Sequence, residues 1–283
     1  MLAHLLAGAY TRFCFIGLFF VGGFVLELIA PVHPVTQRDR FFNCVCGLCF
    51  LAVDLCCAVY FNSLLWTLSS HPLIPFTVSD HHRVAFAIGL AFVWLAVRDF
   101  FYYWFHRWQH SSKWLWAEHA LHHSDTQMNI TTSLRHHWLE MPLNTLIVTI
   151  PLQLLFRPPA ITIPAAYAFF YMVGYLTHSN VRLGAGPFAK LIVSPNNHRV
   201  HHSREPEHID KNFAQLFPMW DVLFGTYYAT RAGEFPQTGL SSGEKVTSLR
   251  RALLMPFQTW AQMLTLRSRR PQPAEIEPRT YVG

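Results

Sequence analysis

The pattern His-x-x-His-His occurs twice in this chain, at His119–His123 and His198–His202, and the pair His106 and His110 stands just ahead of the first copy. Residues three and four apart share a helical face, so each group is a convergent set of imidazoles. Crowded imidazoles repel when protonated and leave nitrogens unpaired when buried. Neutral imidazole is, however, a common ligand for zinc, iron and copper. The fold must therefore gather distant helices around one or more metal ions.

Composition adds the medium. Of 283 residues, 52% are hydrophobic and only 13% charged, against roughly 25% charged in a soluble domain. The net charge of +6 is scattered beside apolar segments, which argues against nucleic acid and for membrane-interface anchors. Three apolar segments, about Phe13–Ala30, Phe41–Trp66 and Val84–Tyr103, approach the roughly 20 helical residues that cross a bilayer. The first has no small-residue cleavage site and is followed by another apolar segment, so a retained span is expected rather than a signal peptide. Asp54 is the ionisable residue inside the second, placed there either for function or to face the bundle interior. Pro72 and Pro75 mark the next connection as non-helical. Two shorter stretches, Leu143–Phe156 and Ile161–Leu176, flank Arg157–Pro159 and predict a membrane hairpin over about 141–177, with two tilted crossings as the alternative. Either brings His137 and His178 to one side. Arg38, Arg40, Arg107, Lys113, Arg135, Arg182, Lys190 and Arg199 would share that side, which predicts a cytoplasmic histidine face.

Cys14, Cys44, Cys46, Cys49, Cys56 and Cys57 all fall in apolar segments, which suggests packed or lipid-facing thiols and no disulfide framework. Asp99, Tyr103, His106 and His110 follow one helical stripe, so Asp99 is expected to orient a ligand imidazole. The stretch after His123 reads as a short polar loop, and 182–228 as soluble in character. Leu249–Leu266 predicts an amphipathic helix on the membrane surface, followed by a disordered tail. The expected fold is all-α and integral to a membrane: a small transmembrane helical bundle with a cytosolic, histidine-rich helical cap. Its parts are N-terminal transmembrane helices at 1–96, a catalytic region at 97–228, and a surface segment and tail at 229–283.

The boxes HRWQH at His106–His110, HALHHS at His119–Ser124 and NHRVHH at Asn197–His202 resemble those of the fatty acid hydroxylase and sterol desaturase superfamily. So do D-x-x-x-Y-W-x-H-R at Asp99–Arg107, R-x-H at Arg135–His137 and W-D-x-L-F-G-T-Y at Trp220–Tyr227, and the likeness runs over about Val97–Tyr228. The resemblance implies a metal set of His106, His110, His119, His122, His123, His198, His201 and His202, joined by His178 and by His137, although Trp138 stands where the family often has proline. His4, His33, His71, His81, His82, His136 and His208 match no box.

The same resemblance implies two iron ions, with zinc a substitute in purified protein, and dioxygen as co-substrate. It implies hydroxylation or desaturation of a membrane lipid: a fatty acyl chain, sphingolipid or sterol. No flavin or nicotinamide fingerprint is present, so electrons are expected from a separate cytochrome b5- or ferredoxin-like protein. A short chain without a fused electron-transfer domain favours a bacterial inner membrane over the endoplasmic reticulum. The competing readings are a non-enzymatic metal-binding or transport protein, which predicts ionisable residues at mid-membrane in several spans, and a haem protein, which leaves most histidines unused.

Overall fold

The computed structural model describes residues 17–69, 73–74, 83–155 and 162–268. Cys14, the proline connection, Arg157–Pro159, the C-terminal tail and His4, His71, His81 and His82 lie outside them. Regular structure among the described residues is helical throughout, and Ser203 and Thr238 form an isolated bridge. Helix α1 spans Gly17–Ile29, the described part of the first apolar segment. α2 (Gln37–Ser69) and α3 (Arg83–Ser111) carry apolar stretches long enough to cross a membrane, Gln37–Cys57 and Ile88–Ser111. Only 17% and 39% of their most apolar windows are buried against protein, so Phe41, Leu48, Ile88 and Phe92 present bare apolar surface of the kind that lipid covers. The molecule is a helical membrane bundle.

α3 does not stop at Tyr103 but continues to Ser111, which carries both His106 and His110 on the spanning helix itself. Ser112 then adopts an extended conformation and turns the chain into α4, Lys113–His123. α5 (Glu140–Asn144) runs through a wide turn, Thr145–Thr149, into α6 (Ile150–Leu155). Pro151 lacks an N–H and crowds the turn before it, which accounts for the widening there. α7 spans Thr162–Thr177. α8 covers Pro195–His201, started by the Ser194 side chain and by proline at its first position, both favourable there. α9 spans Met219–Leu223 and α10 Leu249–Ser268. Trp94 and Leu95 of α3, Leu152 of α6, Phe170 and Val173 of α7, and Leu216 and Phe217 form the largest buried cluster. Cys44, Cys46, Cys49, Cys56 and Cys57 are free.

The segment expected as a polar loop is instead buried. Asn129 closes a capping box onto the turn Ile130–Leu134, and Asp125, Asn129, Thr131, Thr132 and Arg135 are all inaccessible. Their burial is compensated because each polar group finds a partner. Asn43 of α2 donates to Asp125 at 2.9 Å and to Thr131 at 3.0 Å, while Arg135 donates to Asn43 at 2.9 Å and to the Ser124 hydroxyl at 2.8 Å. Arg40 is likewise no surface anchor. It pairs with buried Glu27 of α1 at 3.0 Å, and Glu27 also accepts the amides of Ile130 at 2.6 Å and Asn180 at 2.8 Å. One carboxylate thus ties α1 and α2 to two loops beneath the histidines.

Candidate metal centre

Nine imidazoles come together where α3, α4, α7 and α8 end, with His136 stacked on one of them as a tenth. The nine fall into two sets whose ligand nitrogens all lie within 4.8 Å of one another: His106, His110, His119, His123 and His201 in the first, His122, His178, His198 and His202 in the second. Each His-x-x-His-His box is therefore divided. On a helix, position i+4 lies about 40° from i and i+3 about 60° the other way, so His119 and His123 point to one set and His122 to the other. α8 repeats the division, with His198 and its C-cap His202 on one side and His201 on the other.

Three rings are fixed by backbone carbonyls. His106 Nδ1 donates to Phe213 at 2.8 Å, His201 Nδ1 to Lys211 at 2.9 Å and His178 Nδ1 to Gly174 at 2.7 Å. A carbonyl only accepts, so these Nδ1 atoms hold the proton and each Nε2 turns a bare lone pair inward. Nε2 atoms then meet in the interior: His106 and His119 at 3.1 Å, His119 and His123 at 3.2 Å, His122 and His178 at 3.2 Å, His178 and His198 at 3.0 Å, His198 and His202 at 3.2 Å. A ring nitrogen carries at most one proton or one lone pair, so His119, His178 and His198, each facing two partners, cannot be satisfied by hydrogen bonds alone. Nε2 of His110 and of His201 have no hydrogen-bond partner. Metal–nitrogen bonds of about 2.1 Å at right angles set neighbouring nitrogens about 3.0 Å apart, which is the spacing seen here. The residues fit two nitrogen-ligated metal ions.

Electrostatics agree. Burial first, and then the neighbouring imidazoles, hold His122, His123, His198, His201 and His202 well below the usual histidine range, and burial brings His178 to about 3. The rings are neutral at physiological pH and ready to ligate. A cavity of about 240 Å³, lined by His110, Trp116, His123, His201 and Asp210, opens onto the first set.

Known proteins carry related sequences. The family described as Fatty acid hydroxylase matches residues 91–226, the stretch that contains both sets. This chain is similar to that family over just under half of its length. It is 37% identical to the alkylglycerol monooxygenase of Danio rerio over 47% of this chain and 30% of that protein. The human alkylglycerol monooxygenase is 36% identical over 46% of this chain and 29% of its own length. The ornithine lipid hydroxylase OlsE of Rhizobium tropici is 33% identical over 53% and 44%. The matches thus cover less than half the length of each of these relatives. No solved structure gives a significant match.

Within residues 91–226 two expected residues sit differently. His137 joins neither set: its Nε2 bonds the Leu253 carbonyl at 3.1 Å and its Nδ1 accepts the Leu139 amide at 3.2 Å. Asp99 contacts no imidazole. Its carboxylate accepts the amides of Gln215, Leu216 and Phe217 at 3.1, 3.1 and 2.7 Å, because that loop offers three donors side by side and a carboxylate can only accept. The same loop begins at Phe213, whose carbonyl holds the His106 ring.

Three residues were not singled out by the sequence. His136 stacks on His122 with centroids 4.2 Å apart and bonds Glu140 at 2.7 Å. Glu140 also lies 3.7 Å from His119 Nδ1. Burial pushes its carboxyl up, but His136 and the hydrogen bonds from His119 and His136 outweigh it and hold the group well below the carboxylate range. Glu118 accepts from Gln109 at 2.8 Å; burial, then Glu140, pushes its carboxyl well up. The i, i+4 spacing of His136 and Glu140 was the available signal.

Proposed function

We propose that this protein is an O2-dependent di-iron lipid hydroxylase. The observation that carries the reading is the double imidazole set, five nitrogens and four, with lone pairs turned inward. The metal set would be His106, His110, His119, His123 and His201 for one ion and His122, His178, His198 and His202 for the other, with Asp99 and Glu140 as positioning residues. Bound iron would supply reductive activation of dioxygen and removal of hydrogen from an unactivated C–H bond. The balance is one lipid C–H bond, O2, two electrons and two protons giving the alcohol and water. Electrons come from a separate cytochrome b5- or ferredoxin-like donor.

The chain's own residues supply geometry and exclusion. Carbonyls of Phe213, Lys211 and Gly174 lock three rings, and near-complete burial keeps bulk water from the second set. The names of the relatives support hydroxylation of an aliphatic chain in a membrane lipid rather than desaturation, and they give no support to a transport protein. The catalytic region is taken as 97–228 with a membrane hairpin over about 141–177, in a multi-pass protein of a bacterial inner membrane, metal site on the cytoplasmic face. Metal analysis of purified protein is expected to give about two iron ions per chain, with a hydroxylated lipid appearing only in cells that express the gene. One ion per chain, or a haem spectrum, would overturn the reading.

A further inference from the structure

The segment from Phe213 to Thr226 runs along α3 away from the metal ligands and back again. Its start holds His106 through the Phe213 carbonyl, its middle caps Asp99, and the Phe217 ring meets Phe92 of α3 at 5.3 Å. The return passes through α9, with Trp220 5.1 Å from Phe100, Phe224 4.9 Å from Trp104, and the Thr226 hydroxyl 2.9 Å from that of Tyr103. At 1.5 Å of rise per residue, Phe92 lies about 21 Å along the helix axis from His106, inside the apolar stretch Ile88–Ser111. Non-helical backbone at that depth requires its polar groups to be satisfied within the protein. Here they are. Asp99 takes three amides, and Asp221 takes the amides of Phe213 and Ala214 at 2.7 and 2.9 Å and the Thr226 hydroxyl at 2.7 Å.

The outer face is equally telling. Asp221 is the one charged residue between Phe213 and Phe224, and it is buried. Val222 and Leu223 of α9 are 46% and 67% exposed. Exposed Phe188 and Leu191 lie alongside, tied on by the Tyr227 hydroxyl on the Ala189 carbonyl and by the Val193 amide on the Leu216 carbonyl. This face continues the bare apolar surface of Ile88, Phe92 and Val93 on α3, and exposed Lys190 sits at its rim, where anionic headgroups would meet it.

We propose that Phe213–Thr226 is a re-entrant element that enters the bilayer beside α3, with Met219, Val222 and Leu223 against lipid acyl chains. A lipid lying on this face is then one loop away from His106.

The test uses the unaltered full-length protein in nanodiscs of phosphatidylcholine and phosphatidylglycerol, doped with a phospholipid bearing a diazirine in its acyl chain. After irradiation, peptide mapping should find lipid adducts on Met219–Leu223 at a yield comparable to those on Ile88–Val93 and at least tenfold above Glu205–His208. Adducts confined to the spanning helices would overturn the proposal, as would crosslinking that shows a second copy of the chain covering Leu223. The readout is independent of hydroxylase activity, so the two readings fail separately.

Discussion

The two histidine sets share helices but not surroundings. The first takes five rings from α3, α4 and α8 and faces a cavity; the second takes four, from α4, the end of α7 and α8, all buried, with His136 stacked on one of them. The difference separates access from retention. Small species can reach the first set through that cavity, whereas all four rings of the second are buried.

The sharpest way to break this comparison uses two neighbours on one helix. His201→Ala should remove the metal of the first set and His198→Ala that of the second, each lowering metal content from about two ions to about one and lipid product to background. Loss of both ions in either variant would show a single site. Next in size is Glu140→Gln, which weakens the acceptor shared by His136 and His119. Loss of such an outer partner costs roughly 10- to 100-fold in metal affinity, read by competition with a chelator, and unchanged affinity would remove Glu140 from the site.

Acid should destabilise the metal-free protein through the same buried rings. The His178 ring is depressed to about 3 by burial, so the unfolded chain binds its proton first and folded stability is lost as pH falls below about 6.5. At pH 5 this ring alone accounts for up to about 2 kcal/mol. His119 is depressed too, but Glu140 counters part of the effect. Denaturant titrations at pH 7.5 and 5 should therefore show a smaller loss in His178→Asn than in wild type, and an equal loss in the two would contradict it. The smallest effect is expected for His137→Gln, about 1 kcal/mol for a lost hydrogen bond with both metals retained. A missing ion there would restore His137 to the ligand set.

The boxes were legible because imidazoles at three- and four-residue spacing have few other uses, and the spans because 13% charge leaves little else to form a surface. The division within each box was not read, since spacing alone treats i+3 and i+4 as one face. Nor were the partners of Asp99 and Glu27. Both carboxylates end on backbone amides far away in the chain, and an amide leaves no mark in a sequence. The polar run after His123 misled for a related reason: Asn43 of α2 and the Val246 carbonyl supply its partners from outside.

Because α4 and α8 each feed both sets, the separation of the two sets is geared to the turn of a helix and not to any loop. Inserting one residue between His119 and His122 would rotate the later rings by about 100°, so the His122 position would swing out of line while the rest of the bundle still folded. A screen of single-residue insertions should accordingly find these two short helices to be the least forgiving places in the protein, and the connection between α8 and α9 more tolerant ahead of Lys211, whose carbonyl holds His201.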